Sequence, residues 1–145
     1  MTNLANARTK FYTGGAYAAG DDLSAVVSWT EVADLTDIGD FGDEAEAITY
    51  EVIGDGRTRK LKGTRNAGTF DVTVARKAGD LGQDAMKVAE LANSPVSLKV
   101  ELEDGTNFLF AGLVMSAKRT LGGANDVIKI TYSIEITTEV DEVAA

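Results

Sequence analysis

The sequence predicts a mainly β fold: an antiparallel, barrel-like β-sandwich with one flanking α-helix. Three observations support this. Segment after segment alternates apolar and polar side chains with the period of a strand, so one face meets a core and the other looks outward. Only the stretch 79–93 carries helical spacing. Glycine-bearing turn signals separate the alternating runs, while the chain has a single proline.

Residues 1–22 are small and polar, with Gly14, Gly15 and Gly20. They read as an extended N-terminal arm that needs another surface to become ordered. Residues 25–32, centred on Trp29, have the β-branched and aromatic composition of a strand. Residues 34–44, with Gly39 and Gly42, read as a loop. The next strand, 45–53, places Ile48, Tyr50 and Val52 on one face and Ala47, Thr49 and Glu51 on the other. The connection 54–68 is glycine-bounded and too long for a tight turn, so a long loop is expected. In strand 69–75, Phe70, Val72 and Val74 face inward, and Thr69, Asp71 and Thr73 face outward.

The helix is expected to start after Asp80 as N-cap and to stop at Asn93 and Pro95. Its inward stripe reads as Leu81, Ala85, Val88, Ala89 and Ala92. Strand 96–103 turns at Asp104-Gly105, a two-residue hairpin signal. The return strand carries Phe108 and Phe110, with a bulge suggested at Gly112. The last strand, 127–138, puts Ile128, Ile130, Tyr132, Ile134 and Ile136 inward, and Lys129, Thr131, Ser133, Glu135 and Thr137 outward. Residues 139–145 form an acidic tail expected to be loose, which leaves 23–138 as a single β domain.

Composition narrows the chemistry. The 145 residues include no cysteine and no histidine, so there is no thiolate nucleophile, no Ser-His-Asp relay and no imidazole-ligated metal. A net charge of −9 makes the chain a poor binder of duplex DNA. No apolar run is long enough to span a membrane, and the N-terminal stretch lacks the apolar core of a signal peptide, so a cytoplasmic product is expected.

Four features of the chain are candidate sites. The acid row Asp34, Asp37, Asp40, Asp43 and Glu44 lacks the alternating ligand spacing of a calcium loop and reads as a solvated acidic loop. Gly54-Asp55-Gly56-Arg57 matches no phosphate-binding pattern and reads as a turn. The cations Arg57, Arg59, Lys60, Lys62 and Arg65, with only Asp55 against them, make 54–68 strongly basic on an acidic chain. This segment can dock on an acidic surface, contact nucleic acid, or simply be solvated; no interleaved aromatic favours nucleic acid. Trp29 reads as a core or interface anchor. With 23 acidic residues, no carboxylate pair stands out as an acid–base dyad, so a small hydrolase is the weakest reading and no cofactor is implied.

Several segments in order resemble the tail tube proteins of long-tailed, lambda-like phages. They are Ser28-Trp29-Thr30-Glu31-Val32, then Leu35-Thr36-Asp37-Ile38-Gly39, then the strand around Glu46-Ala47-Ile48-Thr49-Tyr50. After the long connection come Gly68-Thr69-Phe70-Asp71-Val72-Thr73-Val74, a short helix, Leu98-Lys99-Val100-Glu101-Leu102-Glu103-Asp104-Gly105, and Phe108-Leu109-Phe110-Ala111-Gly112-Leu113-Val114. The resemblance covers roughly Val26 to Thr138, and its order and spacing carry it rather than any single motif. It equally fits the tubes of gene transfer agents.

The resemblance implies a structural, non-enzymatic subunit of a virion tail. Homo-hexameric rings would stack into a hollow tube that conducts DNA without binding it specifically. Tape measure and tail terminator proteins would be partners, and assembly would occur in the host bacterial cytoplasm. On this reading Arg57, Arg59, Lys60, Lys62 and Arg65 make the contact between rings. Glu51, Asp71 and Glu135, with Thr49, Thr73, Thr131 and Ser133, line the lumen, where carboxylates repel DNA phosphates. Leu4, Phe11, Tyr12 and Tyr17 seat the arm on a neighbouring subunit. The alternative from another class is a monomeric β-sandwich module that binds a carbohydrate or a protein.

Overall fold

Lys10–Ala16 forms the first strand, β1, and it lies inside the main sheet rather than in a free arm. The computed structural model describes residues 5, 7–18, 20–26 and 28–144. A single 3-10 turn, Leu23–Ala25, and strands β2 (Thr30–Glu31) and β3 (Leu35–Ile38) follow. Then come β4 (Glu44–Val52), β5 (Arg57–Asn66) and β6 (Thr69–Ala75), the helix α1 (Leu81–Leu91), and β7 (Val96–Glu101), β8 (Asn107–Thr120), β9 (Lys129–Ile136) and β10 (Asp141–Val143).

The main sheet is antiparallel, in the order β2-β1-β7-β8-β9-β6-β3, with β10 paired to β8. Its two outermost strands, β2 and β3, are joined through Val32, Ala33 and Asp34 alone. That link spans at most about 14 Å when fully extended. The sheet therefore curls until its edges nearly meet, which makes the shell barrel-like. Asp34 takes a left-handed φ of 58° at this corner.

The curl encloses Phe11, Val72, Val74, Leu98, Phe110 and Ile134, all essentially without solvent exposure. Phe70 stacks edge-on against Phe110 at 5.3 Å and against Phe11 at 6.4 Å. Each fully buried side chain of this size contributes roughly 1.5–3 kcal/mol. A second, smaller cluster lies on the opposite face of the sheet, where Tyr17 and Trp29 cover Leu23, Leu109 and Ala111.

Helix α1 closes the corner between β2 and β3. Asp80 caps it, accepting from the backbone N–H of Gln83 at 3.0 Å and of Ala33 at 3.2 Å. The Gln83 side chain donates to the carbonyls of Ala33 (3.1 Å) and Ala75 (2.9 Å), and accepts from the N–H of Lys77 (2.9 Å). These bonds satisfy backbone groups that the sheet leaves unpaired at its seam. Gly82 sits so close to β2 that a Cβ there would collide with the Glu31 carbonyl.

Several sequence expectations are corrected. The arm over 1–22 fails for 10–16, because Phe11 and Thr13 point into the shell while β1 pairs with β7 and β2. Gly14 is not a sign of disorder: a Cβ there would meet the Trp29 ring at 2.8 Å. The predicted strand 25–32 shrinks to β2, since the Asp22 carboxylate accepts from Ser24 N–H and Oγ and holds a turn instead. The loop 34–44 contains β3, paired with β6. The long loop 54–68 is largely β5. The loose tail 139–145 contains β10, which extends the sheet beside β8. Domain boundaries at 23 and 138 thus leave out β1 and β10, two strands paired into the main sheet.

Smaller shifts follow the same logic. The chain turns over 102–106 rather than at two residues, and the bulge of β8 falls between Val114 and Ser116 rather than at Gly112. Gly112 is instead a close approach, where a Cβ would lie 2.8 Å from Ile134 Cγ2. Ile128 is 40% exposed, because it precedes β9. On α1 the buried residues are Gly82, Gln83, Met86 and Ala89, while Leu81, Val88 and Leu91 remain exposed. The clasp made by Asp80 and Gln83 fixes the rotation of the helix and turns that apolar stripe outward.

Candidate assembly surfaces

Strands β4 and β5 form a two-stranded sheet of their own. The chain enters it after Phe41, whose ring contacts Phe70, Phe108 and Phe110 at 5.2–5.8 Å and so ties the hairpin base to the core. At the far end Asp55 and Gly56 both donate from their backbone N–H to the Val52 carbonyl, and Gly56 takes a φ of 61°. A two-stranded hairpin alone is marginal in water.

Its register defines two faces. Ile48 lies across from Leu61, Tyr50 from Arg59, and Val52 from Arg57. Ala47 lies across from Lys62, Thr49 from Lys60, and Glu51 from Thr58. The first face is apolar and edged by arginine; the second is polar. Residues on opposite strands that pair directly share a face, so this follows from the ladder. Among the described residues nothing covers the apolar face: Ile48 is 50% and Leu61 56% exposed, and Ile53 at the tip is fully exposed. The sequence expectation that Ile48, Tyr50 and Val52 fill the chain's own core is therefore corrected.

The basic cluster sits on this hairpin and not on a loop. Arg57 and Arg59 edge the apolar face, Lys60 and Lys62 belong to the polar face, and Arg65 stands at the base. Arg59 reaches Asp55 at 2.9 Å and Arg65 reaches Asp43 at 3.4 Å. Both pairs are solvent-exposed on the arginine side, so they add little stability.

Five of the residues expected to line a lumen share one outer sheet face. Asp71 lies across from Ser133 and Thr73 from Thr131, with their hydroxyls 3.1 Å apart. Thr69 donates to Glu135 at 2.8 Å. Thr49 and Glu51 do not join them, because they lie on the separate hairpin. The face continues across β8, where Lys118 lies opposite Thr131, so it is not uniformly acidic.

Three of the arm residues, Phe11, Tyr12 and Tyr17, are engaged within their own chain. Phe11 is in the core and Tyr17 covers the second cluster. The Tyr12 ring lies 4.4 Å beneath the Lys99 ammonium, which is also 5.2 Å from Trp29. Partial burial, with Glu101 and Glu31 nearby, pushes the Tyr12 phenol above its ordinary value. Leu4 lies outside the described residues. The sequence reading placed Leu81 and Val88 on the inward stripe of the helix, whereas they and Leu91 form an exposed one.

Comparison with known proteins bears on these surfaces. The family model described as phage tail tube protein, TTP, matches residues 3–145. No curated protein matches. The fold is similar to the SPP1 tail tube, with a TM-score of 0.66 at 14% identity over 94% of this chain and 77% of that one. It is similar to a chain in the tail of an empty gene transfer agent particle refined with C6 symmetry, with a TM-score of 0.69 at 15% identity over 98% of this chain and 100% of that one. A chain of the six-fold symmetrised anti-feeding prophage baseplate gives a TM-score of 0.75 at 12% identity, over 99% and 97% of the two chains.

Proposed function

Because the chain belongs to the phage tail tube protein family, a family of tube-forming structural subunits, we propose that six copies close into a ring and that rings stack into the hollow tube of a virion tail. DNA passes through the lumen without specific binding. The observation that carries the reading is the β4–β5 hairpin, whose apolar face has no partner among the described residues of its own chain. Ile48, Tyr50 and Leu61 at this level of exposure need a second protein surface. Arg57, Arg59, Lys60, Lys62 and Arg65 surround them with positive charge on a chain of net charge −9, which suits docking on the acidic body of a copy in the next ring.

The six-fold symmetry of the gene transfer agent tail and of the anti-feeding prophage baseplate supports the hexamer. The similar chains come from assemblies with tube terminators and caps, which supports a terminator partner here; a tape measure protein would fill the tube during assembly in the host cytoplasm. Asp71, Thr73, Thr131, Ser133 and Glu135 form the lumenal face, short side chains with carboxylates that repel phosphate.

Reversing Arg57, Arg59 and Lys60 to Glu is expected to abolish tubes in negative-stain images while leaving the thermal midpoint of the subunit unchanged. Normal tubes from the triple variant would sink the assignment of the hairpin. A wild-type protein that stays a discrete monomer under assembly conditions would sink the tube and favour a binding module.

A further inference from the structure

A cleft of about 280 Å³ opens between the start of α1 and the far ends of β6, β8 and β9. Arg76, Lys77, Lys87 and Arg119 line it, with Asp84 as the carboxylate among its lining residues and Tyr132 on its wall. Among the described residues, none of these four cations is within ion-pair distance of a carboxylate. Two of them spring from fixed backbone: the N–H of Arg76 donates to the Ile128 carbonyl at 2.9 Å, and that of Lys77 to Gln83 at 2.9 Å. Four cations held around one opening, on a chain of net charge −9, describe a receptor for a negatively charged group.

The opposite end of the same sheet carries that group. Glu101 pairs across from Asn107 at the start of β8, Glu103 and Asp104 follow in the turn, and β10 brings Asp141 and Glu142 alongside Leu109 and Phe108. Arg8 reaches Glu103 at 3.0 Å and Lys10 lies across from Glu101, so the rim keeps an excess of carboxylates. The Asp104 carboxylate accepts from the N–H of Thr106 at 2.9 Å, which fixes its position. Strand β8 runs from this rim at Asn107 to the cleft at Arg119. At the usual rise per residue the two lie roughly 40 Å apart.

We propose that the basic cleft of one copy receives the acidic rim of a second copy, joining subunits head to tail along β8. Complementary patches at opposite ends of one element make a heterologous contact, which propagates instead of closing as a pair. The proposal rests on the tube reading, and it assigns a contact separate from the hairpin.

The test uses two full-length variants. One carries Lys77→Glu, Lys87→Glu and Arg119→Glu in the cleft. The other carries Glu103→Lys, Asp141→Lys and Glu142→Lys on the rim. Each alone is expected to lose tube formation, read by light scattering and negative stain. Their equimolar mixture is expected to regain it, because the acidic rim of the first fits the basic cleft of the second, and the basic rim of the second fits the acidic cleft of the first. Rescue also shows that both variants fold. Raising the salt concentration should weaken assembly of the wild type and of the mixture alike.

Tubes from either variant alone, or a mixture that stays unassembled, would overturn the proposal while wild-type tubes keep the tube reading intact. A cleft variant that assembles normally yet loses pyrophosphate binding shown by the wild type would overturn it in favour of a small-anion site. A wild type that never polymerises would overturn both readings.

Discussion

The barrel-like shell and the β4–β5 hairpin are written in the same alternating code, yet among the described residues the shell buries its apolar face and the hairpin exposes it. In β6, Phe70, Val72 and Val74 are at most 3% exposed. In β4, Ile48 and Tyr50 occupy the equivalent phase at 50% and 41%. Alternation therefore reports that a strand has an apolar face, and says nothing of whose surface covers it. In the shell the partner is another strand of the same chain; in the hairpin Ile48, Tyr50 and Leu61 stay exposed, as the proposed ring-to-ring contact requires.

Single truncations on the two sides should separate these roles. Phe110 is fully buried and contacts Phe70 and Phe41, so Phe110→Ala should cost about 3–5 kcal/mol and largely unfold the subunit. Leu61→Ser on the exposed hairpin face should change the stability of the free subunit by no more than about 0.5 kcal/mol. It should nevertheless impair tube formation. Chemical denaturation of the monomers together with negative stain checks both. A hairpin variant as destabilised as the core variant would show that the hairpin is packed in its own chain after all.

A difference between the two regions also governs what was legible. Strands β6, β7 and β9 were readable because a two-sided environment imposed strict alternation on them. The strands missed were those whose side chains carry no such imprint. β5 holds cations on both faces and Leu61 as its large apolar residue, so its strand character comes from backbone pairing with β4. β10 is Asp141, Glu142 and Val143, an acidic edge added to β8. β1 looked unstructured because its glycines were counted as flexibility, whereas Gly14 makes room for Trp29. The assembly surfaces were half legible. The residue types of the basic cluster stood out, but their division between two faces needed the register. The cleft drew Arg76, Lys77, Lys87 and Arg119 from separate elements, and no local pattern joins them.

Between these extremes lies the seam, where the helix touches β2. An exposed helical glycine changed to alanine normally gains about 0.4–1 kcal/mol. Gly82→Ala should reverse that sign, because the new Cβ meets the Glu31 carbonyl and not a flexible side chain. A loss of about 1–3 kcal/mol is expected, as for other overpacked sites. A thermal midpoint at or above that of the wild type would show that the helix can lift from the corner without cost.

The smallest effect expected is electrostatic and belongs to the shell. Tyr132 is 2% exposed, and burial raises its phenol above the ordinary value. Asp80 and Asp84 push in the same direction, and Arg119 opposes them. A phenol that ionises later in the folded state than in the unfolded chain favours folding only while it stays protonated. Its contribution is complete below pH about 10, where the unfolded phenol titrates, and is lost as pH rises through the higher folded value. Tyr12, raised in the same direction, adds to the same alkaline decline. The thermal midpoint of the wild type should therefore fall more steeply above pH about 10 than that of Tyr132→Phe, and the two profiles should run parallel below it. Hairpin variants such as Leu61→Ser should keep the full wild-type slope, since Tyr12 and Tyr132 both stand on the main sheet and not on the hairpin. Parallel profiles for wild type and Tyr132→Phe across the alkaline range would mean that the cleft admits enough water to solvate the phenolate.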